Sequence, residues 1–257
     1  MRSDIFATVI YRLITMKKSC FTLLVLLLVF GSKTTAQEKK FSGWTMSMNT
    51  IQVSPKIIIQ FDAQLRSSKN LEKPEVLILR PVLGYMINKT TSVGLGLATI
   101  SSWKTIDEVR DRTDEFRLWQ QINTIKKYGS SILQHRVRLE ERWLPIVSVD
   151  NSAFKKIGEN FSSRLRYLTR AMIPVKKTER LTKGIYLAFQ NEFFFNTTGA
   201  TYINGKFFDQ SRSYGGAGYR LNKSLDLEIG FMYQHVEGRG KRYTANNIIQ
   251  LSTFLRL

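Results

Sequence analysis

Strict alternation of apolar and polar residues, held over segments of about 10 to 13 residues, constrains this chain more than any other feature. In an extended strand successive side chains point to opposite faces, so each such segment carries one greasy face and one polar face. Residues 57–66 are the clearest case: Ile57, Ile59, Phe61, Ala63 and Leu65 share a face opposite Ile58, Gln60, Asp62, Gln64 and Arg66. The pattern recurs along the chain, as with Leu133, Val137 and Leu139 against Arg136, Arg138, Glu140 and Arg142, or Leu225, Leu227, Ile229 and Phe231 against Asp226, Glu228 and Gly230.

Length turns the pattern into a fold. Strands of soluble proteins average about 5 or 6 residues, whereas a tilted strand needs about 9 to 11 to cross a hydrocarbon layer. A soluble sandwich or lipocalin-like barrel would bury the apolar face and put charge outside. Ten long strands with hardly any helical periodicity favour the membrane version, an all-β transmembrane antiparallel up-and-down barrel of about 10–12 strands. Residues 41–53 also read as a strand, with Trp44, Met46 and Met48 together, which makes eleven. Bacterial single-chain barrels have an even number, so the expectation is ten, with residues 41–53 outside the wall, or twelve.

Connections fit the same scheme. Residues 54–56, 87–91, 126–129 and 221–224 are short, and residues 67–74, 105–112, 144–160, 197–206 and 237–243 are longer, as expected of periplasmic turns and outer loops. Residues 174–183 form a long connection in a short-turn slot.

The first 36 residues read as an upstream segment and a signal peptide. Met16-Lys17-Lys18 precedes an apolar run over residues 20–30, too short to span a bilayer, and Thr34 and Ala36 suit cleavage before Gln37. Residues 37–257 are then the barrel domain, in the outer membrane of a Gram-negative cell. The single cysteine, Cys20, precedes the apolar run, so neither a lipid anchor nor disulfide or thiolate chemistry is expected. The formal charge of +19 falls to about +15 once residues 1–36 are removed. An exported protein rarely meets nucleic acid, so lipid, lipopolysaccharide and small anions are the expected partners. Two histidines and the scattered Asp107, Asp111 and Asp114 make a poor metal set, and no cofactor is expected. Gly94-Leu95-Gly96 and residues 215–218 are not phosphate loops, because no helix follows them. The last eight residues, ending Phe254-Leu255-Arg256-Leu257, resemble the terminal signal read by the barrel-assembly machinery, with Ser252 in place of its glycine and Leu257 in place of its aromatic residue.

On the barrel reading the polar faces carry a lumen charge network of Glu115, Arg117, Arg136, Arg138, Glu140, Arg142, Arg164, Arg166, Arg170, Glu192, Arg212 and Glu228, with Asp226 beside them. Packed Arg–Glu pairs would make this a structural wall. Unpaired arginines would make it a narrow, anion-preferring passive pore. An enzyme, lipid-modifying or proteolytic, is the rival class: His235 and Asp209 lie near the outer rim and could polarise a water. No catalytic residue is assigned beyond that alternative.

Segments 115–121 (Glu-Phe-Arg-Leu-Trp-Gln-Gln), 135–142 (His-Arg-Val-Arg-Leu-Glu-Glu-Arg) and 164–167 (Arg-Leu-Arg-Tyr), with Asn191-Glu192, 208–212 and 216–219, resemble the bacterial family catalogued as domain of unknown function 2490. The resemblance covers nearly all of residues 41–257. It implies an exported, porin-like outer-membrane barrel and no activity.

Overall fold

The computed structural model describes residues 38–150, 152–176 and 181–257; the leader and its cleavage site lie outside them, as does Lys177. Eleven strands follow one another: β1 (Glu38–Gln52), β2 (Ile57–Ser67), β3 (Pro74–Met86), β4 (Thr91–Ile106), β5 (Val109–Tyr128), β6 (Ser131–Asp150), β7 (Ala153–Pro174), β8 (Gly184–Thr198), β9 (Phe208–Arg220), β10 (Leu225–Glu237) and β11 (Tyr243–Arg256). Each pairs with its sequence neighbour in antiparallel fashion, and β1 pairs with β11 to close the barrel. Closure leaves no strand edge unpaired around the wall itself, the condition for a sheet to sit in lipid.

The even count expected from other barrels does not hold. Residues 41–53 complete the wall, and with eleven strands β1 and β11 run the same way, so the seam is parallel from Glu38↔Thr244 to Thr50↔Arg256. Gln52 donates its N–H to the Leu257 carbonyl at 2.8 Å, and the Leu257 N–H reaches the Thr50 carbonyl at 2.9 Å. The strand ends are thus tied at what is here called the C-terminal rim.

Two of the expected long loops are strand instead. β4 and β5 continue to a tight turn at Asp107 and Glu108, both with left-handed backbone (φ 48° and 66°), the geometry of a type I′ hairpin. β6 and β7 run for 20 and 22 residues, about twice what a membrane crossing takes. At the opposite rim these two hairpins extend past the neighbouring strands. Pairing runs on along both, in continuous register in β4–β5 and with one bulge between Ile146 and Val147 in β6–β7, so the polar stretches over residues 105–112 and 144–160 pair rather than coil.

The exterior is apolar, with Ile57, Ile59, Phe61, Leu65, Leu95, Leu97, Ile229 and Phe231 all exposed. At the opposite rim Trp143 packs between Phe116 and Phe161, with ring centroids 5.6 Å apart in each pair, an aromatic girdle of the kind found at bilayer interfaces. The core sits in the lumen as two apolar clusters. Trp44, Tyr186, Ala188, Tyr214, Met232 and Ile248 form one, and Ile78, Val82, Ala98, Ile100 and Trp119 form the other. Glycine makes room for the large rings: the Trp119 indole lies where a side chain on Gly96 would stand, and the Tyr186 ring does the same at Gly218. The odd connection after β7 has a role in this packing. Leu181 sits against the first cluster, and its carbonyl accepts a hydrogen bond from Arg220 at 2.9 Å.

Candidate functional site

The inward polar residues of β5 to β9 meet around two carboxylates. Glu140 on β6 is 1% exposed. Its Oε2 accepts from Arg164 Nη2 at 2.8 Å and Nε at 3.2 Å, its Oε1 from Arg166 Nη1, and Arg117 and Arg138 stand at 3.5 and 3.7 Å. Glu192 on β8 accepts from Arg166 at 2.6 Å and Arg136 at 3.0 Å, with Arg212 at 3.8 Å. Glu115 on β5 takes Arg117 Nε at 2.7 Å and Arg142 Nε at 2.8 Å. Antiparallel register makes this possible: Glu140 lies directly across from Arg164, and Glu192 from Arg212.

Of the residues expected in the lumen network, Glu115, Arg117, Arg136, Arg138, Glu140, Arg142, Arg164, Arg166, Glu192 and Arg212 come together here. Arg170 and Glu228 form a separate pair at 2.5 Å nearer the C-terminal rim. There Glu228 also accepts from the Tyr214 hydroxyl at 2.9 Å, and Asp226 takes Arg220 and Arg256, each at 2.7 Å. Sequence reading missed Asp62, Arg66 and Arg80 as members of the main cluster. Arg80 pairs with Asp62, while Arg66 reaches Gln64 Oε1 at 2.7 Å and stacks on Trp44. The signal was available, since Asp62 and Arg66 stand on the polar parity of β2.

His235 and Asp209 do not meet. Asp209 points into the lumen and pairs with Arg164 Nη1 at 2.7 Å. His235 stands on the outward parity of β10, stacked on Tyr243 and Phe208, with Glu237 Oε1 2.8 Å from its Nε2. The wall separates them, so the rim dyad imagined for a hydrolase is not assembled. His135 likewise lies outside, 2.9 Å from the Tyr167 hydroxyl.

The cluster encloses a cavity of about 250 Å³. It reaches Arg66, Gln210, Gln234 and Val236, all within three residues of strand ends at the rim opposite the C-terminus. The apolar cluster with Tyr186, Tyr214 and Met232 lies on its other side, toward the C-terminal rim. Seven arginines (66, 80, 117, 142, 164, 166 and 212) and Glu140 line the chamber, and Arg136, Arg138, Asp62, Glu115, Glu192 and Asp209 belong to the surrounding network. Guanidinium donors are consequently left over. Arg66 Nε, Arg80 Nε, Arg138 Nη1, Arg142 Nη1 and Arg212 Nε are buried without a hydrogen-bond acceptor. Buried donors ordinarily find acceptors, so the leftover set marks a place suited to an anion.

A family model described as a protein of unknown function, DUF2490, matches residues 41–245. An uncharacterised protein of Methylorubrum extorquens is 24% identical over 196 residues, covering 76% of this chain and 78% of its own length. Among solved structures the NanC porin in a rhombohedral crystal form is similar, with a TM-score of 0.50 at 10% identity, over 84% of this chain and 98% of the porin. At that identity the likeness is one of fold, a porin-like β-barrel.

Proposed function

Since the chain belongs to the DUF2490 family of proteins of unknown function, its own geometry must carry a functional reading, and we propose that it is an outer-membrane barrel whose arginine-rich lumen attracts small anions and passes them through a narrow constriction. One observation carries this: the excess of arginine over carboxylate around the 250 Å³ chamber, with buried guanidinium edges left open. Rings of Arg or Lys favour anions over cations in a pore. The apolar exterior suits lipid, and Arg239, Lys241 and Arg242 between β10 and β11 suit lipopolysaccharide phosphates. The last strand, ending Phe254-Leu255-Arg256-Leu257, supports delivery by the barrel-assembly machinery. Planar-bilayer recording of the purified protein tests the reading. A small unit conductance with an anion-selective reversal potential in a salt gradient is expected. Silence at every voltage and salt concentration would remove the passage.

A structural role is the second reading. The inner apolar cluster and the close pairing around Glu140 and Glu192 favour a wall that fills its own lumen. Silence in the bilayer would favour this role.

A further inference from the structure

The chamber is two-faced. Arg142, Arg164, Arg166 and Arg212 on β6, β7 and β9 make one part of it cationic, while Ile78, Ala98, Ile100 and Trp119 on β3, β4 and β5 give it an apolar stretch, with Arg80 and Arg117 on the same strands. An inorganic anion would use only the first. A neutral apolar solute would use only the second and leave the open guanidinium edges unsatisfied. We infer that the chamber is a binding site for a small organic anion, a carboxylate or phosphate carrying a short apolar body, lodged with its head on the arginines and its body against Ile78 and Ile100.

Three features fit this ligand class. Hydrogen bonds from a guanidinium to a carboxylate or phosphate are charge-assisted and strong, and Arg142 Nη1 and Arg212 Nε, both from residues lining the cavity, have no acceptor. Ile78, Ala98, Ile100 and Trp119 line the same cavity as the arginines, so an apolar body finds a partner there as the anionic head does. The volume of about 250 Å³ holds roughly eight groups of water size at ~30 Å³ each, which sets the size of the ligand. Access is from the rim that carries the long hairpins, because Tyr186, Tyr214 and Met232 obstruct the other end. The inference rests on the anion reading above but does not need passage.

The test is isothermal titration of the folded, detergent-solubilised protein with hexanoate, set against acetate, inorganic phosphate and neutral hexanol. Hexanoate is expected to bind at least tenfold more tightly than acetate or phosphate, and hexanol not to saturate. Arg66→Gln with Arg142→Gln should weaken hexanoate at least tenfold. Ile78→Thr with Ile100→Thr should bring hexanoate down to the level of acetate. Each variant is first checked for the heat-modifiable gel mobility of a closed barrel, and a variant that lacks it is replaced by the corresponding single substitution. Equal affinity for hexanoate, acetate and phosphate, or hexanoate binding unmoved by both double variants, overturns the site. Conductance separates this inference from the previous one: hexanoate bound as described by a silent barrel sinks the passage and keeps the site, whereas an anion-selective current with no preference for hexanoate does the reverse.

Discussion

The guanidinium carbon of Arg66 lies 3.8 Å from the ring centroid of Trp44, and among the described residues no carboxylate stands within ion-pair distance of it. Arg212 approaches the same ring at 5.0 Å, so Trp44, on the strand that closes the barrel, holds two cations against one aromatic ring. Removing Arg66 orphans no buried acid and gives up one cation–π contact and one hydrogen bond to Gln64. Arg66→Gln is therefore expected to lower stability by only about 1 kcal/mol, measured as the shift in the temperature at which the compact gel band converts to the unfolded one.

Glu140 is the opposite case. Arg164 and Arg166 both hydrogen-bond to it, with Arg117 and Arg138 close by, and its loss leaves buried cations facing one another. Breaking a buried pair by removing one partner typically costs about 3 to 5 kcal/mol. Glu140→Gln should thus be several times more damaging than Arg66→Gln in the same gel assay. Equal effects would mean that the network is solvated and contributes little.

Gly96 is required by the Trp119 indole that occupies its side-chain space. Gly96→Ala should destabilise the barrel by about 1 to 3 kcal/mol through overpacking, read from the urea midpoint. The double variant Gly96→Ala with Trp119→Leu should recover most of that loss. A double variant as unstable as the sum of the single changes would point to backbone strain instead.

Leu181 packs against the inner cluster from the connection between β7 and β8. Leu181→Asp places a charge at that contact and should loosen the C-terminal end of the lumen. The expected outcome is a higher unit conductance in planar bilayers than that of the parent protein, with anion preference retained because the arginines lie elsewhere.

Asp111 links the two projecting hairpins. Its Oδ2 accepts the Phe154 N–H at 2.8 Å and its Oδ1 the Arg112 N–H at 2.7 Å. The Phe154 hydrogen bond, followed by that of Arg112, holds this carboxyl below the ordinary aspartate range. A carboxyl with a lowered folded-state value contributes its tie fully above the ordinary aspartate range and loses it as pH falls through the lowered value. Protection of the Phe154 N–H against hydrogen exchange, relative to the intrinsic rate at each pH, should fall on acidification in that window. Asp111→Asn should lower it already at neutral pH, with the barrel itself unchanged.

Much of the architecture was legible in the chain because a strand has a period of two. Ile57 to Arg66 declare which side faces out without reference to any other segment, and so do Glu140 and Arg142. Strand number was not legible, because β1 shows the same local alternation whether it closes the seam or lies outside it. The hairpin extensions beyond Thr105 and Leu144 were read as loops because their polarity lacks a lipid-facing stripe, yet cross-strand pairing satisfies the same backbone. Trp119, Tyr186 and Phe194 went unnoticed as lumen filling, since an aromatic residue on the inward parity is recognisable only once the barrel is known to be narrow.

The sequence by itself determined the kind of wall: long amphipathic strands, apolar outward and arginine-rich inward, because side-chain direction alternates locally and needs no distant partner. The tertiary structure decided who meets whom. Ser42 and Asn246, 204 residues apart, hydrogen-bond at 3.1 Å across the seam, and Arg136 finds Glu192 while His235 and Asp209 are parted by the wall. Such meetings depend on the register and stagger of a closed sheet, which only the pairing of all eleven strands can set.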